Sequence, residues 1–136
     1  LDGLQGAVLS VKLRHLDQWN QARRKVAAAY RERLSDLPLK LPQDHPGHVY
    51  HVFVVETDRR DELLAHLNEN GVGASIHYPD ALPRLKAYQH LGHKPGDFPV
   101  AEKLAATILS LPIYPELTEE QIDYVAGQVR SFFQGA

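Results

Sequence analysis

Residues 48–56, His-Val-Tyr-His-Val-Phe-Val-Val-Glu, limit the fold more than any other stretch. Val49, Tyr50, Val52, Phe53, Val54 and Val55 are apolar and mostly β-branched or aromatic, the side chains that suit a pleated strand. Successive strand residues face opposite sides, so a run apolar at nearly every position needs cover on both faces. The reading is a central strand between layers. His48 and His51 interrupt it on opposite faces of the pleat. That placement does not let both hold one metal from one side, and both read as structural histidines.

The flanks supply the cover. Residues 2 to about 37 read as one long helix or two in tandem. Leu4, Ala7, Val8 and Val11, then Leu16, Trp19, Ala22 or Arg23, Val26, Tyr30 and Leu34, recur at helical spacing of three and four. His15-Leu16-Asp17 is the place for a bend, and Leu37-Pro38 ends the helix. Residues 39–47 are turn-rich. After the strand, Thr57-Asp58 predicts a helix start, Leu63, Leu64 and Leu67 its buried stripe, and Asn70-Gly71 its end. Val72, Ala74 and Ile76 then alternate with Gly73 and Ser75, the period of a second strand that runs into His77-Tyr78 before Pro79 stops pairing. Local pattern leaves open whether the two strands are neighbours or leave a gap for a third.

Beyond Pro83, residues 85–91 read as a short helix closed by Gly92. Asp97 is placed to cap a helix with Pro99 in its first turn and a face of Val100, Ala101, Leu104, Ala105, Ile108 and Leu109. Residues 110–114 are extended and held between Pro112 and Pro115, so they predict an edge strand at most. Thr118 and Gln121 form a capping box ahead of the final helix, whose face is Ile122, Val125, Ala126, Val129, Phe132 and Phe133. The order is α-β-α-β-α-α-β-α. That is an α+β fold, a small sheet covered by helices, with a long N-terminal helix.

Composition removes several function classes. Net charge is −2 with both signs interspersed, which argues against a nucleic-acid partner. No apolar run approaches the ~18 residues of a membrane span. The lack of cysteine excludes disulfides and thiolate chemistry and fits a cytoplasmic location. The 136 residues make one domain or a piece of a longer chain. With no initiator Met and a helical pattern almost from residue 1, they read as a segment of something longer. Gly71-x-Gly73 enters a strand and lacks a third glycine, so it is no phosphate cradle. There is no His-Glu-x-x-His, no Gly-x-Ser-x-Gly and no supported carboxylate pair. The eight histidines are scattered without metal-ligand spacing. What remains is His77-Tyr78, an imidazole and a phenol side by side at the end of a buried element. They either contact a ligand or close a loop over the core.

Several stretches together resemble the DegT/DnrJ/EryC1/StrS aminotransferase family. They are Leu1-Asp-Gly-Leu-Gln5-Gly-Ala-Val-Leu9 with Lys12-Leu-Arg-His-Leu16-Asp17 and Trp19-Asn20-x-x-Arg23, then His48-Val-Tyr50-His51-Val-Phe-Val, then Gly71-Val-Gly73 leading to Ile76-His77-Tyr78-Pro79. Asp97-Phe98-Pro99-Val-Ala101-Glu102, Leu109-Ser-Leu-Pro112-Ile-Tyr114-Pro115 and Leu117-Thr118-x-x-Gln121 follow in the family's order. Each is weakly specific; the ordered set covers essentially the whole chain. Two positions depart. Gly6 stands where the family usually has alanine, and Asp80-Ala81-Leu82-Pro83 replaces a stretch in which many members carry a second histidine.

The resemblance implies the C-terminal small domain of a fold-type-I, pyridoxal-phosphate-dependent aminotransferase acting on a nucleotide-linked keto sugar. It implies a Schiff-base lysine, a pyridinium partner and a stacking aromatic on a large domain upstream of Leu1, so that this segment alone is inactive. None of Lys12, Lys25, Lys40, Lys86, Lys94 or Lys103 matches the lysine motif. It also implies a homodimer, glutamate as amino donor, and His77 and Tyr78 as substrate-binding residues, on opposite faces of the chain if extended. No catalytic, cofactor-binding or metal-ligating residue is expected within the chain. The alternative is a non-enzymatic α+β regulatory or interaction module built on the strand-helix-strand unit of residues 48–77.

Overall fold

A computed structural model describes residues 2–135. Leu1, which opens the first of the family-like stretches quoted above, lies outside the described residues. The N-terminal helix is two in tandem, α1 (Gly3–Leu13) and α2 (Leu16–Leu34), broken at Arg14 and His15. Asp2 and Gln5 cap α1 reciprocally: the Gln5 N–H donates to Asp2 Oδ1 at 3.0 Å and the Asp2 N–H to Gln5 Oε1 at 3.3 Å. Then follow β1 (Phe53–Glu56), α3 (Arg60–Glu69), short 3₁₀ turns at Leu82–Arg84 and Lys86–Leu91, α4 (Pro99–Thr107), β2 (Ile108–Leu111) and α5 (Glu119–Gln134).

The sheet is antiparallel, with Phe53 opposite Leu111, Val54 opposite Ser110 and Val55 opposite Leu109. Two single bridges extend it, Lys40 to Glu56 outside β1 and Ser75 to Ser110 outside β2. The expected α+β order is therefore present with revisions. The short helix expected at residues 85–91 is a 3₁₀ turn, and α3 is capped at Arg59 rather than at Thr57-Asp58. Four more bear on the strands and on α4. First, the strand expected from residue 48 begins at Phe53. Tyr50 takes φ of 49° and is buried, its phenol donating to Asp44 Oδ1 and accepting from Arg31 Nη2. Its N–H donates to His48 Nδ1 at 2.9 Å. With those contacts residues 48–52 leave the strand conformation and bend into β1.

Second, the strand expected at residues 72–78 is extended chain pinned by the Ser75–Ser110 bridge alone. Third, α4 stops at Thr107, and Ile108 and Leu109 belong to β2. That strand lies inside the sheet rather than at its edge, because Pro112 falls just beyond its last pair. It fills the gap between β1 and the Ser75 segment. Fourth, Asp97 does not cap α4; its Oδ2 accepts from the Lys94 N–H at 2.8 Å in the preceding turn.

Gly71 ends α3 as expected. Its φ of 73° is the left-handed conformation that glycine adopts at least cost, and the Val72 N–H returns to the Leu67 carbonyl at 2.8 Å. The core lies on one face of the sheet. Phe53, Val55 and Leu109 meet Tyr30 and Leu34 of α2, Leu63 and Leu67 of α3, and Val125 and Val129 of α5. Each of these large side chains contributes about 1.5–3 kcal/mol by leaving water. Arg60 ties α3 to the end of α4 by donating from Nη1 to the Ala105 carbonyl at 3.0 Å.

Candidate functional site

Cross-strand partners share a face of a sheet, and that face alternates along the strand. Phe53, Val55, Leu109 and Leu111 point to the core, so Val54, Ile108 and Ser110 lie on the far face. The Ser75–Ser110 bridge feeds residues 76–78 onto that face: the Ser110 N–H donates to the Ser75 carbonyl at 2.7 Å and the Ser75 N–H to the Ser110 carbonyl at 3.2 Å. Two residues later His77 lays its ring over Ser110, with Nδ1 at 2.9 Å from Oγ.

Tyr78 follows across a cis peptide bond and stands out from the surface, 72% exposed. The two rings meet edge to face, with centroids 5.6 Å apart and planes at 85°. The opposite-face expectation for the pair is corrected: the rings are neighbours. Next to them a cleft of about 500 Å³ opens between Tyr78, Pro79, Leu82 and Leu85 on one side and Leu104 and Ile108 on the other. Tyr78 lines it and His77 does not. The arrangement offers an apolar floor, a phenol at its rim and an imidazole beside it. It can orient a ligand through hydrogen bonds, with the Asp80 carboxylate as a further acceptor in the lining.

Sequence reasoning did not single out Ser110. The available signal was a lone hydroxyl between Leu109 and Leu111 in an otherwise apolar strand. Pro83, at the departure from the family's second histidine, lies in the 3₁₀ turn Leu82–Arg84. Among the described residues no group of three His, Asp or Glu side chains is placed to hold a metal ion, and no helix is long and apolar enough to cross a membrane. His48 is structural, stacked on Tyr50 with centroids 3.9 Å apart. His51, expected to be structural, is instead exposed in the bend before β1 and lines a groove with Val49, Trp19 and Leu13.

A pyridoxal phosphate site needs a lysine held with an aromatic ring and a carboxylate. All six lysines here are exposed. Lys12 shares its groove with Trp19 but no carboxylate, and Lys40 and Lys103 share theirs with Glu56 and Asp58 but no aromatic ring. The residues described do not by themselves fit that group.

Comparison with known proteins adds to this geometry. The profile of the DegT/DnrJ/EryC1/StrS aminotransferase family matches residues 1–130. The chain is 47% identical over 134 residues to the erythromycin biosynthesis sensory transduction protein EryC1 of Saccharopolyspora erythraea, which covers 96% of this chain and 37% of that protein. It is 42% identical over 135 residues to the dTDP-3-amino-3,4,6-trideoxy-alpha-D-glucose transaminase of Streptomyces venezuelae, covering 97% of this chain and 36% of that one. Its structure superposes on S. venezuelae DesV in complex with a ketimine intermediate with a TM-score of 0.94 and 41% identity, over 98% of this chain and 37% of that chain. The chain spans a little over a third of the length of these relatives.

Proposed function

The chain belongs to the DegT/DnrJ/EryC1/StrS aminotransferase family, and we propose that it is the small domain of an enzyme that transfers an amino group from glutamate to a keto carbon of a nucleotide-linked sugar. The observation that carries this reading is identity of 42% along nearly the whole chain with a transaminase whose name specifies a dTDP-linked amino sugar. In this reading pyridoxal phosphate, the Schiff-base lysine and the rest of the cofactor site belong to a large domain of the same protein, and the cytoplasmic enzyme works as a homodimer. The residues of this chain bind and orient. His77 and Tyr78 hold sugar or nucleotide oxygens by hydrogen bonds, and the cleft beside Tyr78 keeps water from the apolar edge of the ligand. Exposed Leu4, Val8 and Val11 give α1 a face suited to cover by the large domain or the second subunit.

A second reading, a regulatory module without catalysis, is kept by one observation: the EryC1 relative carries the name of a sensory transduction protein. The two readings part on a single assay. The full-length protein, supplied with pyridoxal phosphate, glutamate and a dTDP- or UDP-linked keto-hexose, is expected to release 2-oxoglutarate and an amino sugar nucleotide, both visible by mass spectrometry. Full-length protein that binds sugar nucleotides but transfers no nitrogen with either would support the regulatory module instead.

A further inference from the structure

We propose that Ser110 is a positioning residue that holds His77 as an outward-facing hydrogen-bond donor, so that the group recognised by this wall is an acceptor oxygen, a hydroxyl or a diphosphate oxygen of the sugar nucleotide. The inference rests on the reading of this wall as facing a nucleotide-linked sugar. Its geometric half stands without it.

Ser110 is 5% exposed. Both of its backbone groups are spent on Ser75. Its cross-strand neighbours on the same face are Val54, which offers the hydroxyl nothing, and Ser75, which is bonded to Ser110 through backbone groups. Among the described residues the hydrogen bond made by Oγ is to His77 Nδ1, at 2.9 Å. A hydroxyl both donates and accepts, and a neutral imidazole carries its proton on one nitrogen or the other. If Nδ1 carried the proton, Oγ would accept it, and the hydroxyl's own hydrogen would be left inside the sheet without an acceptor. A buried donor left unmade is the more expensive arrangement. If Nδ1 is bare, the hydroxyl donates to it and the ring proton sits on Nε2, on the exposed side, where water or a ligand takes it. The second arrangement satisfies every group.

His77 is thereby fixed in both tautomer and ring orientation before any ligand arrives. A fixed N–H donor at the surface selects an oxygen with a free lone pair. Sugar hydroxyls and diphosphate oxygens provide one. The Tyr78 ring adds an edge-to-face contact with the imidazole, centroids 5.6 Å apart.

The test uses the full-length protein labelled with ¹⁵N-histidine, with the His77 signal identified by its loss in His77→Ala. Long-range ¹H–¹⁵N correlations are expected to show a protonated Nε2 and a bare Nδ1. Ser110→Ala is expected to give a mixture of tautomers, and Ser110→Thr, which keeps the hydroxyl, to restore the single one. A protonated Nδ1 in the wild type, or an unchanged tautomer in Ser110→Ala, overturns the proposal. The second arm measures binding of dTDP-glucose and UDP-glucose by calorimetry. Ser110→Ala is expected to weaken whichever binds by about fivefold, with recovery in Ser110→Thr. If His77→Ala weakens binding and Ser110→Ala does not, positioning by Ser110 is overturned and the sugar-nucleotide wall stands. If neither variant changes binding, or if neither compound binds the wild type, the wall reading itself falls, whatever the tautomer.

Discussion

α1 and α2 come from one continuous apolar pattern and end in opposite environments. α2 buries Val26, Ala27, Tyr30 and Leu34 against the sheet and α5. α1 buries no residue; Leu4 is 77% exposed and Leu13 67%. The helical period says that a face is shaped to be covered, but not by which surface. α2 finds its cover within these residues because α5 and the sheet lie alongside, and Arg33 with Asp123 and Arg130 with Asp36 tie the two helices at their rims. The core closes without α1. The contrast separates side chains that hold the core together from side chains that nothing among the described residues covers, and it can be attacked experimentally from both ends.

The largest effect is expected in the core. Leu109→Ala removes a fully buried side chain from β2 between α3 and β1 and should cost about 2–5 kcal/mol in urea unfolding. Val8→Ser on α1, measured on residues 1–136, should move stability by less than about 0.5 kcal/mol. In the full-length protein the Val8→Ser cost should rise above that level as α1 gains its cover. A large cost already present in the shorter chain would erase the distinction between the two helices.

Tyr30→Phe comes next. The phenol of Tyr30 donates to the Pro112 carbonyl at 2.9 Å and ties α2 to the end of β2. Removing it leaves that carbonyl without the phenol's hydrogen bond and should cost about 1–3 kcal/mol. Burial first, and then nearby Tyr114, raise the Tyr30 pKa above its ordinary value near 10.0. A raised folded pKa means that the neutral phenol's stabilisation is fully present below pH 10.0 and is lost as pH climbs towards the folded value. The wild type should therefore lose stability across that alkaline range, and Tyr30→Phe should remove this part of the slope. An identical slope in both proteins would take Tyr30 out of the account.

A third effect belongs to the far face of the sheet. On the proposed reading of this face as a sugar-nucleotide wall, His77→Ala in the full-length protein should raise KM for the sugar nucleotide about five- to tenfold, the worth of one hydrogen bond, with kcat changed less. Steady-state kinetics decide it. An unaltered KM alongside an unaltered melting temperature would leave His77 as a cover for Ser110 and nothing more.

These positions differ in how far the sequence alone reveals them. The capping box of Thr118 and Gln121, the turn at Gly71 and the break at His15 are local, with every partner within a few residues, and all three appear where their residue types put them. The irregular path of residues 48–52 was hidden because its partners are distant: the Tyr50 phenol reaches Asp44 and, on α2, Arg31. Strand β2 was hidden because Ile108 and Leu109 suit a helical face and a strand equally well, and only pairing with β1 decides. His77 and Tyr78 stood out because a strand-like alternation ends in them, whereas Ser110 is joined to His77 from 33 residues away and by itself is an ordinary strand serine. Residues that display a side chain were legible; the residue that aims it was not.

The smallest expected effect is also the most direct probe of α1. Gly6 sits inside an exposed helix, and a Cβ placed there would meet no heavy atom within 4 Å. Alanine lowers the cost of a helical residue by about 0.5–1 kcal/mol relative to glycine. Were α1 part of the cooperative unit, Gly6→Ala would raise global stability by that amount. Because α1 buries nothing, it should open and close on its own, and the gain should stay local. Hydrogen exchange at the Ser10 and Val11 amides should slow by about two- to fivefold, while the urea midpoint of residues 1–136 stays unchanged. A shifted midpoint would mean that α1 unfolds together with the core, and the two halves of the N-terminal pattern would then differ in exposure but not in their coupling to the fold.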